Sequence, residues 1–596
     1  MANIVSSDDV SVFKLQRFLG INESPDGDTQ LKMGEGSEMR NWQVTPQYHL
    51  RVRPGCKTVH QFKNPVRGIW TGYVAGEKKT VCAADGGVWE LSKDPIRRIG
   101  DIWDAPTTMF SFGNKVYFLN GHEYLVWDGD GYVDTVDGYI PLVSSGVAPG
   151  GGGAQVENAN RLTGKRRCQF SSDGKATEYH LPEKGMLTID KITIGTEEAY
   201  SGWAADLETG VITFEAAPEA GNNNVGVWYT MPNNLRSLIE GMRYAEQFNG
   251  AADTRVFLYG DGTAKAVYCG VTENGQASAE YFPDLYEVLI GSENSPLTGM
   301  IKYYDRLMSY KSDGGAYSTS YEVTTLADGT VIPGFKTVST NKEIGNEAIG
   351  QVRLVKNTPR TIYGGNVYDW VYANYATRDE RNAKIVSARV QDTMSAADPD
   401  KIFCFDDDSK QEYYIFLNNA AGTALVHNYM TDIWYIYTNL PVTCAGRTED
   451  GALLFGMNDG RLAIFSEDNP NDDGTPIDAF FASGNMAFGE EYKRKHSSAI
   501  WVSVKPTSNA NLIVTARTDR KSDYVDKEVT MNLSTFKGLN FGSFSFMTTR
   551  APQMERIKLK VKKFAYYQLI LKSDFMASDA TVLGVDFRVR YTGYVK

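Results

Sequence analysis

The segment YLVWDGDGYVDTVDGYIP, residues 124–141, sets Asp128, Asp130, Asp134 and Asp137 among three glycines and several aromatic residues. Such a cluster could hold a divalent cation, supply an acid, or close a tight turn. An EF-hand loop needs side-chain oxygens at positions one, three and five, glycine at six and glutamate at twelve. Counted from Asp128, the loop keeps Asp130 but puts Tyr132, Val133 and Tyr139 at the last three positions. The expectation is therefore an Asx turn, in which a short acid caps its own backbone; bound calcium is left open. SSDGKATEY, 171–179, resembles the Asp-box of sialidases but carries Lys175 at the glycine position. FDDDSK, 405–410, and EDNPNDDG, 467–474, read as exposed, turn-rich loops without the apolar neighbours that raise a carboxyl pKa.

Other chemistries fail on spacing. There is no G-x-S-x-G elbow, no phosphate-binding G-x-x-x-x-G-K-[ST] loop, and His122-Glu123 runs on into Tyr-Leu-Val rather than to a second histidine. His49, His60, His122, His180, His427 and His496 never stand at metal-ligand spacing, and Cys56, Cys82, Cys168, Cys269, Cys404 and Cys444 form no CxxC pair. The cysteines read as reduced thilos of a protein made in cytoplasm. The expectation is no catalytic residue, no cofactor and no metal ligand set, hence no enzyme.

The elements around these residues repeat one device: a β-rich run, a Gly/Asp/Asn turn, and another β-rich run. It occurs in KKTVCAADGGVWEL (78–91), TMFSFGNKVYFLNGHEYLVWDGDGYVDTV (108–136), TRVFLYGDGTAKAVYCG (254–270), YYIFLNNAAGTALVHNYMTDIWYIY (413–437) and GALLFGMNDGRLAIF (451–465). Glycine relieves the positive φ of the turn while aromatic and β-branched residues pack a pleated surface. Hairpins at this spacing predict an all-β fold: a β-propeller, blade number undetermined, with an inserted β-sandwich domain and a C-terminal β-sandwich domain.

The boundaries expected are 1–60 for an N-terminal arm and first strands, 61–145 and 232–477 for the propeller, 146–231 for the insertion, and 478–596 for the C-terminal domain. SSGVAPGGGGAQ, 144–155, reads as a flexible joint into the insertion. NNLRSLIEGMRYAEQF, 233–248, spaces Leu235, Leu238, Ile239, Met242 and Ala245 as a helix, capped by Asn233 or Asn234. In KLKVKKF, 558–564, alternation places Lys558, Lys560 and Lys562 on one face and Leu559 and Val561 on the other, which reads as a solvated sheet surface.

Composition bounds the class. The chain has 596 residues, 42% hydrophobic and 22% charged, with a formal net charge of −12. A chain this acidic lacks the cation excess that binds nucleic acid generally. MANIVSSDDVSVFKLQRFLG has no basic segment followed by an apolar core, and no run of about 18 apolar residues occurs.

A resemblance extends the reading. Phe18, Gly20 and Asn22, then Glu35, Asn41 and Trp42, then Arg53-Pro54-Gly55 resemble the opening of tail-nozzle or packaged-DNA stabilisation proteins of short-tailed phages. FGNKVYFLNG with VWDGD, LTGKRRCQFSSDG, NEAIGQVRLVKNTPRTIYGGNVYDWV (346–371) and the terminal RVRYTGYVK follow in the expected order. The resemblance implies a virion structural protein assembled in the host cytoplasm. It implies a ring, often of six copies, below the portal and adaptor proteins, with tail fibres or spikes at its side. Double-stranded DNA would pass through the channel without specific binding. The arm from Met1 to about Lys32 is expected to reach a neighbouring subunit or the adaptor. The alternative is a receptor- or glycan-binding propeller of a virion, with Trp89, Trp103, Trp127, Trp203, Trp370 and Trp434 as candidate sugar platforms.

Overall fold

The computed structural model describes residues 10–23, 30–249, 254–325, 331–375, 378–505, 510–522, 526–531, 553–576, 578 and 580–595. Seven antiparallel four-stranded sheets follow one another along the chain. Each is a short up-and-down meander, the blade of a β-propeller, and the fold is all-β. One compact unit, Arg67–Gly350, holds the first four blades, residues 68–101, 108–135, 244–289 and 297–341. The other unit combines Met1–Val66 with Gln351–Lys596 and holds the fifth, 353–385, the sixth, 403–437, and the seventh, 442–466. The seventh takes its edge strand from Gly55–Gln61, with Gln61 opposite Arg461 and Gly55 opposite Ser466.

The sixth blade shows why these residues form blades. EYYIF, ALVHN and IWYIY, the strands Glu412–Phe416, Ala424–Asn428 and Ile433–Tyr437, are buried almost throughout. A strand covered on both faces carries apolar and aromatic side chains continuously, whereas one with a wet face alternates. The Asp-Gly turns behave as their residues require: Asp85 and Gly86 both have positive φ, 52° and 63°. At Gly460, φ +85°, a Cβ would stand 2.3 Å from the Phe62 carbonyl oxygen, so the turn needs glycine for room as well as conformation.

The Asp128–Tyr132 loop is an Asx turn docked on the neighbouring first blade. Asp130 N–H donates to Asp128 Oδ1 at 3.1 Å. Lys79 Nζ donates to the Gly129 carbonyl at 2.5 Å, and Arg97 donates to the Gly131 carbonyl at 2.8 Å. The Lys79 ammonium lies 5.3 Å from the ring of buried Trp127. The loop thus uses its carbonyls to hold two cations of the next blade.

The inserted domain packs a six-stranded sheet and a three-stranded sheet around a core that includes Phe170, Tyr179, Ile212 and Tyr229. Its first strand, Leu142–Val147, runs parallel to Lys165–Ser172 and pairs with Ala154–Gln155. Residues expected to form a flexible joint are therefore partly sheet, and the domain reaches back across the boundary drawn at 146. The helix expected over 233–248 is a single turn, Arg236–Glu240. Tyr244–Asn249 is instead the first strand of the third blade, paired with Thr254–Tyr259. Six cross-strand partners override a helical spacing.

The C-terminal domain is a sandwich of a seven-stranded and a five-stranded sheet. Between them Tyr567 meets Phe587 edge-on, ring centroids 5.6 Å apart, with Phe488 5.1 Å from Phe587. Both sheets incorporate the amino-terminal segment. Val10–Leu15 pairs antiparallel with the long strand Thr581–Tyr594, and Gly36–Arg40 pairs with Ala479–Ser483. The boundary at 478 therefore leaves out four strands that complete this domain. Val10–Leu15, expected in an arm reaching another subunit, is committed to its own chain; residues 1–9 and 24–29 lie outside the described residues.

Gly129→Ala tests the docking of the Asx turn. At φ +95° an added Cβ would lie 2.8 Å from Val74 and 2.9 Å from Ala75. The expected loss is about 1–3 kcal/mol in urea unfolding. Gly131→Ala, whose Cβ would meet nothing within 4 Å, should cost less; equal losses would refute close docking at Gly129.

Candidate functional site

The amino-terminal residues that carry the resemblance converge on one seam, between the sixth and seventh blades and the C-terminal sandwich. Its centre is Arg53, whose side chain is 1% exposed. All five guanidinium N–H groups have acceptors. Nη1 and Nη2 donate to the two oxygens of Asp472 at 3.0 and 2.6 Å. Nε donates to Asn41 Oδ1 at 2.9 Å, Nη1 to the Pro54 carbonyl at 2.8 Å, and Nη2 to the Thr438 carbonyl at 3.1 Å. Burial works against the charge, but Asp472 beside it prevails and holds the guanidinium pKa above its ordinary value.

Asn41 spans the seam. Its φ is +55°, a conformation asparagine tolerates. Its amide donates to Thr438 Oγ1 and to the Asp478 carbonyl, both at 2.8 Å, and its backbone N–H donates to the Ile436 carbonyl at 2.8 Å. Gly55 must be glycine for space: a Cβ there would stand 2.1 Å from the Asn471 carbonyl oxygen. Gly20, φ +76°, comes equally close to Trp434, 2.3 Å from its carbonyl oxygen, and Ile21 N–H donates to that same oxygen. Phe18 is buried edge-on against Phe481, centroids 5.5 Å apart, and Asn22 donates to buried Glu35 at 3.1 Å. Each motif residue thus acts through burial, a close approach or a hydrogen bond.

The acidic loops differ from their sequence reading. Asp407, expected to be exposed, is buried and accepts from Arg447 at 2.5 Å and Ser409 at 2.6 Å. Burial raises the Asp406 carboxyl to about 6; Arg360 lowers it, while Asp408 and Asp407 add to the rise. Asp472, from the second loop, is the seam's buried anion. Glu412, also buried, accepts from the hydroxyls of Tyr414 and Tyr435. Neighbouring blades supply the charged partners, Arg447 to Asp407 and Arg360 beside Asp406, which the local sequence does not display.

A second polar chain joins the fifth and sixth blades. Arg360 forms a two-point pair with Asp369, at 2.6 and 2.9 Å, and meets His427 Nδ1 at 3.1 Å. A guanidinium can only donate, so Nδ1 accepts and the ring hydrogen sits on Nε2, donating to Asp432 Oδ1 at 3.0 Å. His427 stacks on Trp434, centroids 4.5 Å apart. Burial, above all, lowers its pKa, keeping the imidazole neutral in this arrangement.

The candidate sugar platforms separate by exposure. Trp127, Trp370 and Trp434 are buried; Trp89 and Trp203 are half-buried, donating to the Ala84 and Ala199 carbonyls. Trp103 is 60% exposed and stacks on His122, centroids 5.0 Å apart. Asp173, in the partial Asp-box, accepts from the backbone N–H groups of Lys175 and Ala176. The six cysteines are buried as separate thiols. Among the described residues, no group of three or more His, Cys, Asp and Glu is placed to hold a metal ion.

No family model matches the chain, and no curated protein does. Among solved structures it is similar to the WD40 β-propeller domain of Doa1, at 11% identity over 70% of this chain and 97% of that one, with a TM-score of 0.25. It is also similar to BBS1N from a complex with ARL6DN, at 10% identity over 71% and 96% of the two chains, with a TM-score of 0.23.

Two outcomes follow from the seam and the acidic loop. Asp472→Ala strands a buried guanidinium and should cost about 3–5 kcal/mol in urea unfolding, whereas Arg53→Met combined with Asp472→Leu should cost less than the single change. A double variant worse than Asp472→Ala would contradict the ion-pair account. For Asp406, the folded pKa lies above the unfolded value. Its ionisation penalty is therefore absent below the ordinary carboxyl value of 3.8 and fully present above about 6. Asp406→Asn should gain stability over the parent as pH rises from 4 to 6; a pH-independent difference would reject it.

Proposed function

We propose that the chain is a structural subunit of a short-tailed phage tail, one copy of a ring below the portal and adaptor that extends the channel through which the genome is held and released. The observation that carries this reading is the seam. The amino-terminal residues that resemble tail-nozzle proteins, Gly20, Asn41, Arg53 and Gly55 among them, are ones that weld blades to the C-terminal sandwich. A signature made of joints belongs to a protein whose task is to keep a shape. The reading assigns the chain no catalysis and places it in the virion, after assembly in the host cytoplasm. Net acidity favours a wall along which a polyanion slides without being held.

A receptor- or glycan-binding role is the second reading, and it rests on Trp103. This exposed indole is fixed by stacking on His122 and by its backbone N–H, which donates to Glu123.

Electron microscopy of the purified chain, alone or with its adaptor, distinguishes the two. The nozzle reading expects rings with a central opening wide enough for duplex DNA, and particles lacking the chain that fail to retain DNA. Intact DNA retention without it would reject the role. Loss of host adsorption on Trp103→Ala, with rings intact, would instead support the second reading.

A further inference from the structure

The chain's charge is unevenly distributed. Residues 478–596 contain 19 Lys and Arg against 11 Asp and Glu, a formal charge of +8, while residues 1–477 contain 42 against 62, a charge of −20. Much of the positive excess gathers on one face of the seven-stranded sheet. Register decides which residues share it. Arg590 lies opposite Val10 and His496, His496 opposite Lys562, Arg588 opposite Val12, and Trp501 opposite Arg556. The intervening Val585, Phe587 and Val589 are buried, so the cationic set is the outward one.

Among the described residues this face is scarcely neutralised. The single ion pair on it among the described residues joins Lys14 to Asp586 at 4.0 Å. Arg556, Lys562, Arg588 and Arg590 have none among the described residues, and Arg590 Nε is buried without a hydrogen-bond partner. Burial foremost, then Lys562 and Arg590, lowers the His496 pKa. Surfaces ordinarily intersperse both signs, because like charges on adjacent strands destabilise a sheet. Val12 and Met554, 59% and 58% exposed, lie on the same face. Arginine and methionine with exposed apolar area match the composition of protein interfaces. Phosphate binding needs cations but has no use for the valine and methionine.

We propose that this outward face of the C-terminal sheet docks on the acidic part of the chain outside that domain, within residues 55–477, of a second copy. The contact joins unlike surfaces, and such heterologous contacts generate rings or open chains according to the rotation they impose. The assignment to a second copy rather than to DNA rests on the channel reading, in which unpaired cations turned to the genome would hold phosphate and oppose sliding.

The test is sedimentation velocity on the full chain at about 50 mM and about 500 mM salt, where screening differs severalfold. It compares the parent with Arg588→Glu/Arg590→Glu and Arg588→Lys/Arg590→Lys, with circular dichroism as a check on folding. The parent should associate at low salt and weaken at high salt. The glutamate pair should lose at least tenfold in association, and the lysine pair should keep most of it. If the glutamate pair does not fold, Lys562→Glu, an exposed side chain, should show the same direction of change. A parent that stays monomeric in both salts, or association indifferent to charge reversal, overturns the proposal. So does duplex DNA binding, read by gel shift, that the glutamate pair abolishes while self-association is unchanged. Micrographs of the same samples separate the two readings. Salt-sensitive association without a central opening sinks the channel and leaves the docking; rings indifferent to charge reversal do the reverse.

Discussion

Burying one guanidinium sets the terms for half of this molecule. Taking Arg53 out of water is tolerable only when every N–H finds an acceptor and the charge finds a counterion. Those demands are met by Asn41 and Pro54 from its own segment, Thr438 from the end of the sixth blade, and Asp472 from beyond the seventh. Asp472 in turn accepts the Cys56 backbone N–H at 3.0 Å, at the start of the strand that finishes the seventh blade. A single side chain thus fixes the register of the amino-terminal segment against two blades and the C-terminal sandwich. Hydrophobic burial alone, being non-directional, could hold those surfaces together without aligning them.

The same logic recurs at smaller scale. Asp407 with Arg447, and Arg360 with His427, join neighbouring blades, while Asp369 pairs with Arg360 inside the fifth. Blades present similar apolar faces to one another, so polar contacts with defined partners are what distinguish one neighbour from the next. A buried histidine between an arginine and an aspartate supplies one such contact.

What the sequence disclosed depended on how far each residue's partners lie along the chain. Turns closed by Asp-Gly, the Asx turn at Asp128, and the outward lysines with buried Leu559 and Val561 are local, and local spacing reveals them. The acidic loops were opaque because Asp406 and Asp407 are buried beside Arg360 and Arg447, which belong to other blades. The stretch after Asn233 misled for a related reason. Leu235 and Leu238, at helical spacing, are exposed to 38% and 45%, while Tyr244–Asn249 is recruited into a sheet by Thr254–Tyr259. The amino-terminal strands were least legible, since their partners stand near residues 480 and 585. The motif positions were recognisable as a set, yet nothing in their spacing disclosed that Arg53 and Asp472 meet.

The pairing of Val10–Leu15 with a strand near residue 585 bears on how the chain is made. Val10–Leu15 leaves the ribosome among the first strands but finds its partner only when Val585–Arg590 has been synthesised. Until then the amino-terminal strands carry open edges, a state that chaperones and proteases recognise. A chain cut short by interrupted translation keeps those edges and invites degradation. Pairing Val10–Leu15 with Val585–Arg590 thus delays the closing of this sandwich until both strands exist.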